Sequence, residues 1–326
     1  AGLDASRTIG RVSHRPLIVL NPTAGNGRAS RLEGWIRERL ALRPDVELRV
    51  TTRRGEAQDM AAGARAQGFT RVVAVGGDGA AAGVIELGVV AVGTGNDLAR
   101  SLGLPRDPAQ AWTVALGSET RLIDAGRATN GAGESRWFTS AGGLGFDAQV
   151  AAAMADRRGW QASQAGYLLT TLSELRRFDN RVVRGVVDGE PLEQRVLFVA
   201  FANGEYYGGG MRIAPGARPD DGCLDLCIAG DVSRMTALRQ LGNLYRGTHV
   251  RHPAVTLRQA TSITLDADAP TPVHLDGEPF GTLPLHVEVE PGRAGLDQTS
   301  YARCEDVRSV SERRLVHRLG EIEVEV

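Results

Sequence analysis

Two stretches of the sequence place glycine and aspartate directly after an apolar run. They are Val72-Val73-Ala74-Val75-Gly76-Gly77-Asp78-Gly79 and Val89-Val90-Ala91-Val92-Gly93-Thr94-Gly95-Asn96-Asp97. Such apolar runs are typical of buried strands in a parallel sheet. Glycine after the strand lets backbone N–H groups approach a phosphate, and a nearby carboxylate can bind Mg²⁺. The pair predicts one phosphate-binding site, and the alternative is two tight turns, which also favour Gly and Asp.

A third glycine-containing loop favours the phosphate site over the two turns. Residues 21–27, Asn21-Pro22-Thr23-Ala24-Gly25-Asn26-Gly27, follow the apolar run at residues 17–20. Phosphates bind outside the carboxyl ends of the strands in open α/β sheets. We therefore expect all three loops at one edge of a sheet.

The composition limits the chemistry available to this site. With 326 residues the chain can form two domains, and its net charge of −1 argues against nucleic-acid binding through bulk charge. All 38 basic residues are arginine. The absence of lysine excludes Walker-type, kinase-type and Schiff-base lysine chemistry. Cationic help to a phosphate must come from arginine, a metal ion or backbone amides.

The cysteines and the hydropathy predict a cytoplasmic location. Cys223, Cys227 and Cys304 show no metal-site spacing, which is typical of a reduced protein. No apolar run is long enough to span a bilayer. We therefore expect membrane contact, where it occurs, to be peripheral.

The order of elements predicts two domains of different class. Strands and helices alternate from residue 17 to residue 75, with Ser30 placed to cap a helix that continues to about Leu42, and this order indicates an open, mostly parallel α/β sheet. From about residue 121, short strands dominate, interrupted by helices near 147–178 and 233–246. We expect an α/β domain over residues 1–123 and a β-rich, sandwich-like domain over residues 124–296.

One tetrapeptide occurs twice, as Asp188-Gly189-Glu190-Pro191 and Asp276-Gly277-Glu278-Pro279. Asp-Gly between alternating strands is first of all a hairpin turn. From the residues alone, we interpret both copies as turns.

The motifs taken together resemble the catalytic domain of diacylglycerol kinases. The resemblance spans roughly residues 17–292, and the superfamily also holds sphingosine, ceramide and bacterial lipid kinases and, more distantly, NAD kinases. Besides the three glycine loops, its motifs are Gly142-Gly143-Leu144-Gly145-Phe146-Asp147-Ala148, Ala202-Asn203-Gly204 with Tyr206-Tyr207-Gly208-Gly209-Gly210-Met211, Asp221-Gly222-Cys223-Leu224-Asp225 and Leu275-Asp276-Gly277-Glu278.

The resemblance implies a kinase with ATP in the cleft between an NAD kinase-like α/β domain and a β-sandwich-like domain. Residues 297–326 would return to the first domain. Nucleotide contacts would come from Asn21, Thr23, Gly76, Gly77, Asp78, Gly79, Gly93, Thr94, Gly95 and Asn96. Asp78, Asp97 and Glu278 would surround the catalytic Mg²⁺, and Asp276 would be the general base on the acceptor hydroxyl.

The loop at Asp221 and the helix near residues 160–178 each have two possible interpretations. By the resemblance, Asp221 with the carbonyls of Arg218 and Cys223 would hold a structural Mg²⁺, and the alternative is a turn capped by aspartate. Trp160, Leu168, Leu175 and Phe178 fall at helical spacing, on a helix that either faces lipid or packs on its own domain.

The sequence departs from the family pattern after Gly79. Only residues 80–86 separate this loop from the next strand, whereas parallel strands normally need a dozen residues or more between them. Either residues are missing from the sequence or the crossover helix is absent. In the first loop, Asn26 stands where many relatives carry lysine, and Arg28 is the available substitute.

The expected function is Mg²⁺-assisted transfer of phosphate from ATP to a hydroxyl of a lipid or lipid-like acceptor, by a protein expected to form a homodimer. One alternative is a kinase of a polar specialised metabolite. Another is a catalytically silent nucleotide- or lipid-binding relative. An NAD kinase is a fourth, which the motifs of the β-rich domain disfavour.

Overall fold

The structure, a computed structural model, describes residues 15–53, 55–76, 86–93, 95–154, 164–290 and 302–303. Gly77, Asp78, Gly79, Thr94, Trp160 and Cys304 lie outside these residues, as do the short segment at residues 80–85 and most of residues 297–326.

The first sheet has six strands in the order β2-β1-β3-β4-β17-β5. The strands are β1 Pro16–Leu20, β2 Glu47–Val50, β3 Arg71–Gly76, β4 Leu87–Ala91, β5 Arg121–Leu122 and β17 Ala302–Arg303. Neighbours among β2, β1, β3 and β4 are parallel. In β17, Ala302 pairs with Leu87 of β4 in antiparallel orientation and with Arg121 of β5 in parallel orientation. Part of the C-terminal segment thus belongs to this sheet.

Helices cover both faces of this sheet. They are α1 Ala24–Gly27, α2 Glu33–Leu40, α3 Glu56–Ala64, α4 Asp97–Ser101 and α5 Pro108–Leu116. Side chains alternate between the two faces of a strand. Accordingly, Leu17 and Val19 pack with α3 on one face, while Ile18 and Leu20 pack with α2 and α5 on the other. The continuous apolar runs of the sequence reflect burial on both faces.

The predicted helix cap at Ser30 is wrong. Ser30 lies inside a 3₁₀ turn over Ala29–Leu32, and its hydroxyl donates to the carbonyl of Gly27 at 2.7 Å. The α-helix begins only at Glu33 and ends at Leu40. A serine hydroxyl can bond several nearby backbone groups, so its position alone does not fix where a helix starts.

The second domain is built on an antiparallel sheet of eleven strands. They are β6 Ala125–Asn130, β7 Ser135–Phe138, β8 Ala141–Gly145, β9 Arg181–Val187, β10 Glu190–Ala202, β11 Leu224–Gly230, β12 Val255–Ala260, β13 Ser262–Ala267, β14 Pro272–Leu275, β15 Glu278–Thr282 and β16 Leu285–Glu290. All eleven place buried apolar side chains in one shared core, with Ala260 as the contribution of β12. The α/β plus β-sandwich architecture predicted from the sequence is confirmed.

Three helices cover the outside of this sheet: α6 Phe146–Met154, α7 Gln164–Leu175 and α8 Arg234–Arg246. The helix predicted over 147–178 is therefore two helices, and residues 155–163 between them are not described. Leu175 and Phe178 are buried among α6 and β10 side chains, which is the packing alternative for this segment, whereas Leu169 is exposed. No helix among the described residues is long and apolar enough to cross a membrane.

Candidate active site

The ends of β1, β3 and β4 meet at one edge of the first sheet. The N–H of Asn21, after β1, donates to the carbonyl of Val75, and the carbonyl of Gly76 accepts from the N–H groups of Val92 and Gly93 at 3.0 and 2.9 Å. The structure thus brings three of the predicted nucleotide-binding positions together: Asn21, Gly76 and Gly93.

Two glycines allow this close approach. Gly25 has a φ of +62°, and a Cβ there would lie 2.0 Å from the carbonyl oxygen of Val92. Gly76 has a φ of +148°, and its Cβ would lie 3.2 Å from the Cβ of Asn21. A larger residue at either position would push the loops apart. Inside the first loop, the Asn21 carboxamide oxygen accepts from the N–H and the hydroxyl of Thr23.

Asn96 and Asp97 begin α4 after the loop that contains Gly93. Asn96 has a φ of 55°, donates from Nδ2 to the carbonyl of Gly93 at 3.0 Å, and has a buried Oδ1 without a hydrogen-bond partner among the described residues. Asp97 accepts from the N–H of Gly209 at 2.8 Å and from that of Gly210 at 2.7 Å. Asp97 therefore joins the α/β domain to the β-rich domain through charge-assisted hydrogen bonds.

The partner of Asp97 is the glycine tip of a tight hairpin. Tyr207 and Met211 exchange two backbone hydrogen bonds, and Gly208, Gly209 and Gly210 between them all have positive φ angles of 58°, 84° and 100°. Other residues rarely adopt this backbone. The tip presents two successive amides to the first domain, which the motif around Gly209 could not reveal because its partner is more than 110 residues away.

Asn203, a few residues before the glycine hairpin, binds the segment around Asp124 that joins the two domains. Its Nδ2 donates to the carbonyl of Asp124 at 2.7 Å and to that of Thr139 at 3.0 Å, and its N–H donates to the carbonyl of Ser140. Asp124 is fully buried and accepts from the N–H of Gly222 at 2.7 Å. Sequence reasoning missed Asp124, since it stands outside every motif and is located only by contacts distant in sequence.

The carboxylate of Asp276 binds the backbone amides of residues 139–141. Its Oδ1 accepts from the N–H groups of Ser140 and Ala141, and its Oδ2 accepts from that of Thr139, each at 3.0 Å. Asp276 and Gly277 have φ angles of 48° and 78°, as in the two-residue hairpin turn predicted between β14 and β15. The proposed base is thus held rigidly at the domain junction, with Glu278 as the first residue of β15.

An open cleft of about 640 Å³ lies beside the loops. Its polar lining includes Asn96, Tyr206 and four arginines, Arg28, Arg31, Arg100 and Arg106. Two of these are fixed by carbonyls: Arg28 donates to Gly25 and Arg100 donates to Gly95. Arg31 and Arg106 are exposed, and no ion pair of theirs is found in the described part of the chain. Four guanidinium groups make this cleft attractive to a polyphosphate.

A second, apolar cavity lies inside the β-rich domain. It is lined by residues of α6, α7, α8, β10 and β11, among them Val150, Leu175, Phe198, Leu241 and Leu244. Its polar lining includes Asp147, whose Oδ2 lies 3.3 Å from Nε2 of His274. Burial raises the pKa of the Asp147 carboxyl, which the His274 contact opposes.

His274 connects this cavity to the junction. It lies two residues before Asp276, and its ring stacks on Tyr207 with 6.3 Å between centroids. Tyr207 in turn precedes the glycine tip that binds Asp97. Sequence reasoning missed the Asp147–His274 pair, although Asp147 stands in a quoted motif, because His274 is 127 residues away.

The loop around Asp221 shows the turn that was the alternative to a metal site. Asp221 accepts from the N–H of Cys223 at 3.1 Å and from Gln259 at 2.9 Å, while Arg218 pairs with Asp220. Asp225 is buried nearby, and its Oδ2 has no hydrogen-bond partner among the described residues. Burial, with the charge of Asp221, raises the pKa of Asp225 to about 6.

Metal ligands do not cluster in the described part of the chain. No group of three or more His, Cys, Asp or Glu side chains there could hold a metal ion. Asp97 uses both carboxylate oxygens for amides, and Asp78 lies outside the described residues. The described side chains therefore do not by themselves form the predicted catalytic magnesium site.

Two family models match the chain. Residues 15–128 match the diacylglycerol kinase catalytic domain, and residues 141–296 match the YegS C-terminal NAD kinase beta sandwich-like domain. The first match contains β1 to β5 of the first sheet and the second contains β8 to β16 of the second sheet, so the two family models correspond to the two domains.

Curated relatives agree with the family models, and a solved structure shares the fold. The chain is 31% identical to "Diacylglycerol kinase" of Mycobacterium tuberculosis H37Rv, over 89% of this chain and 96% of that protein. It is also 31% identical to "Probable lipid kinase YegS-like" of Pseudomonas aeruginosa PAO1, over 76% and 83% of the two chains. A diacylglycerol kinase structure from Bacillus anthracis superposes with a TM-score of 0.63 at 22% identity, covering 86% of this chain and 94% of that one. The chain therefore belongs to the diacylglycerol kinase catalytic-domain family of lipid kinases.

Proposed function

We propose that this protein transfers the γ-phosphoryl group of ATP to a hydroxyl of a lipid or lipid-like acceptor. The observation that carries the proposal is the domain junction. There, the arginine-lined cleft beside the glycine loops includes Tyr206, and the apolar cavity beside Asp147 includes Tyr207 and Met211, so both reach the hairpin whose glycine tip binds Asp97. Family membership supports a phosphotransferase with a nucleotide substrate.

The nucleotide would occupy the arginine-lined cleft. Backbone amides around Gly76, Gly93, Gly95 and Asn96, with Gly77, Gly79 and Thr94 beyond the described residues, would bind phosphate oxygens. Asn21 and Thr23 would border the nucleotide. Arg31 and Arg106 would neutralise phosphate charge in this lysine-free chain, because a guanidinium can bind a phosphate through two parallel hydrogen bonds.

Asp276 would accept the proton of the acceptor hydroxyl. Its three amide contacts fix the carboxylate in position, and positioning is a large part of phosphoryl-transfer catalysis. When bound, Mg²⁺ would neutralise charge on the phosphates, and Asp78, Asp97 and Glu278 remain the proposed acids around it. The described side chains do not by themselves complete that site.

The acceptor would place its apolar part at the second cavity, which has a volume of about 60 Å³ and would have to widen by side-chain movement to admit more than the end of an alkyl chain. Apolar atoms provide nearly all of its lining surface, and such a surface favours an alkyl chain over a sugar or another strongly polar molecule. Asp147 borders it and contacts His274, which lies two residues before Asp276 in the chain. The acceptor hydroxyl would therefore lie toward the junction and the alkyl chain away from it.

A second magnesium site in the loop at Asp221 remains a proposal. Asp221 with the carbonyls of Arg218 and Cys223 would be its ligands. The unpartnered, buried Oδ2 of Asp225 and the raised pKa of this carboxyl are what a nearby cation would relieve. A homodimer, a cytoplasmic location and peripheral membrane contact also remain proposals.

The test is transfer of label from γ-labelled ATP, with and without Mg²⁺, to a mixture of diacylglycerol in detergent micelles and water-soluble alcohols. The expected result is label in the lipid phase that requires Mg²⁺. Label only in the aqueous phase would replace the lipid acceptor by a polar metabolite. Measured ATP binding without label in either phase would favour a catalytically silent relative.

A further inference from the structure

Helix α8 combines positive charge with the absence of acids. Its sequence contains Arg234, Arg239 and Arg246 and no aspartate or glutamate. Arg234 pairs with Asp179 at 2.7 Å. Arg239 and Arg246 are exposed, and the described residues provide neither with an ion-pair partner. A chain with a net charge of −1 thus presents a locally cationic helix.

The same helix exposes large apolar side chains. Met235 is 56% exposed, Leu238 is 38% exposed and Tyr245 is 42% exposed. On the neighbouring α7, Leu169 is 54% exposed. These four account for four of the six exposed large hydrophobic side chains found among the described residues. Their concentration on two adjacent helices indicates an interaction surface rather than scattered surface residues.

The inner face of α8 forms a wall of the apolar cavity. Ala237, Leu241 and Leu244 line it, and α7 contributes Thr171 and Leu175. Of the three helices that line the cavity, α6, α7 and α8, the last two are the ones with exposed apolar side chains. A lipid that leaves a bilayer for this cavity would travel the shortest path if these helices lay on the membrane.

The C-terminal end of α8 is also close to the domain junction. Burial, with the negative charge of Asp97, raises the pKa of the Tyr245 phenol. Arg212, the residue after Met211 of the glycine hairpin, donates its N–H to the carbonyl of Leu244 in α8. The exposed face of α8 thus extends from the cavity wall to the neighbourhood of Asp97.

We propose that the exposed face of α8, with Leu169 of α7, docks on a bilayer that contains anionic lipids. The arginines would bind the negative surface, and Met235 and Leu238 would enter the headgroup region. The inference rests on the proposed function for its biological reason, since a lipid acceptor must be collected from a membrane. The surface itself is defined by charge and exposure alone.

The experiment is vesicle sedimentation with the full chain. It compares vesicles of phosphatidylcholine with vesicles of phosphatidylcholine and phosphatidylglycerol, at low and high salt. The wild type should bind the anionic vesicles, and salt should weaken the binding. The double variants Arg239→Glu/Arg246→Glu and Met235→Ser/Leu238→Ser should each lose about tenfold or more in binding.

Two matched controls lie on the first domain. Arg65→Glu reverses an exposed arginine, and Leu42→Ser removes a leucine that is 84% exposed. Both should bind vesicles as the wild type does. Equal binding by all variants, or equal losses in the controls, would overturn the docking surface. So would α8 variants that change the sedimentation coefficient of the free protein without changing vesicle binding, because that result identifies a contact between protein chains.

A short-chain, water-soluble diacylglycerol separates this proposal from the proposed function. The α8 variants should phosphorylate it at the wild-type rate, since they alter only the outer face of the helix. Wild-type activity on this acceptor together with unchanged vesicle binding in the variants would overturn the docking surface alone. No activity of the wild type on it or on diacylglycerol in detergent micelles would overturn diacylglycerol as the acceptor in the proposed function, whatever the vesicles show.

Discussion

The two Asp-Gly-Glu-Pro segments form the same turn in two different places. Asp188 and Asp276 have φ angles of 50° and 48°, and the following glycines have φ angles of 84° and 78°. In each hairpin, the residue before the aspartate pairs with the glutamate two residues after it. Each aspartate N–H donates to a carbonyl of a third strand, and each carboxylate accepts from amides there. The tetrapeptide therefore determines the turn and its anchoring.

The two turns differ in what they anchor. Asp188 binds Thr261 and Ser262 beside β13, and Thr261 is exposed. Asp276 binds residues 139–141, where Thr139 and Ala141 are buried and Ser140 also accepts from Asn203. One turn is located at the surface of the β-rich domain and the other at the domain junction. A local motif can thus predict a conformation, while its role depends on contacts distant in sequence.

Removal of each carboxylate should separate the two turns by stability. Asp276→Ala leaves buried amides without acceptors and should lower the free energy of unfolding by about 3 kcal/mol. Asp188→Ala exposes its amides to water and should lower it by about 1 kcal/mol. Thermal unfolding of both variants beside the wild type measures the difference. Equal losses would mean that the two environments do not differ as described.

Asp97 offers a third carboxylate that holds backbone amides, here across the domains. Asp97→Asn keeps the shape, but its carboxamide has one acceptor oxygen, so it can accept from only one of the Gly209 and Gly210 amides and turns an N–H donor toward the other. We expect kcat/KM for ATP to fall by roughly tenfold or more, with the melting temperature lowered by only a few degrees. The matched control is Asp59→Asn, since Asp59 is exposed and pairs with Arg53 in the first domain. An unchanged kcat/KM in Asp97→Asn would show that the contact between Asp97 and the glycine hairpin does not matter for the use of ATP.

Asp188 and Asp225 should have opposite effects on stability as the pH changes. Burial raises the pKa of Asp188, but the hydrogen bonds of Thr261 and Ser262 and the charge of Arg258 outweigh it, so the pKa is lowered. Asp188 therefore stabilises the fold above the unfolded-state pKa, and this contribution is lost as the pH falls through the folded-state pKa. For Asp225, raised from 3.8 to about 6, the folded state binds the proton more tightly, so its contribution falls as the pH rises over that range.

Melting curves of Asp188→Asn and Asp225→Asn between pH 3 and pH 8 test these signs. Relative to the wild type, Asp188→Asn should be less stable near neutral pH, and its deficit should shrink in acid. Asp225→Asn should be more stable near neutral pH, and its advantage should shrink toward pH 4. A pH-independent difference in either variant would contradict the assigned environment.

The glycines of the two turns provide the smallest and best-matched comparison. A Cβ at Gly189 or Gly277 would meet nothing within 4 Å, so the cost of alanine comes only from the positive φ. Gly189→Ala and Gly277→Ala should each lower the free energy of unfolding by about 1 kcal/mol. Only Gly277→Ala should reduce kinase activity, because it shifts the turn that carries Asp276. Reduced activity in both variants would show that turn position is not what matters.

The sequence predicted the local part of this molecule well. The continuous apolar runs before Gly25, Gly76 and Gly93 identified parallel strands because burial on both faces requires them. The Asp-Gly dipeptides identified both turns because few residues accept their backbone angles. Periodicity did not set the helix start near Ser30, because the serine hydroxyl bonds the carbonyl of Gly27 instead of capping the helix. It also did not separate α6 from α7, and the residues between them lie outside the described part of the chain.

The rest of the candidate site depends on contacts distant in sequence. Asp97 was predicted as a metal ligand, and the structure adds its bonds to a hairpin tip 112 and 113 residues away. Asp124, Asn203 and His274 act through partners that no spacing rule connects. Arg31 and Arg106 become candidate phosphate ligands only because the fold brings α4, its exit loop and the first loop to one cleft.

The most direct test of the account compares Asp276→Asn with Asp188→Asn in single-turnover phosphoryl transfer from bound ATP to diacylglycerol. Asparagine tolerates positive φ, so both turns should persist. We predict that Asp276→Asn binds ATP as the wild type does and transfers phosphate about a hundredfold to ten-thousandfold more slowly, while Asp188→Asn keeps the wild-type rate. A wild-type rate in Asp276→Asn would contradict the assignment of Asp276 as the base. Asp276 would then have only a structural role in its turn, as Asp188 has.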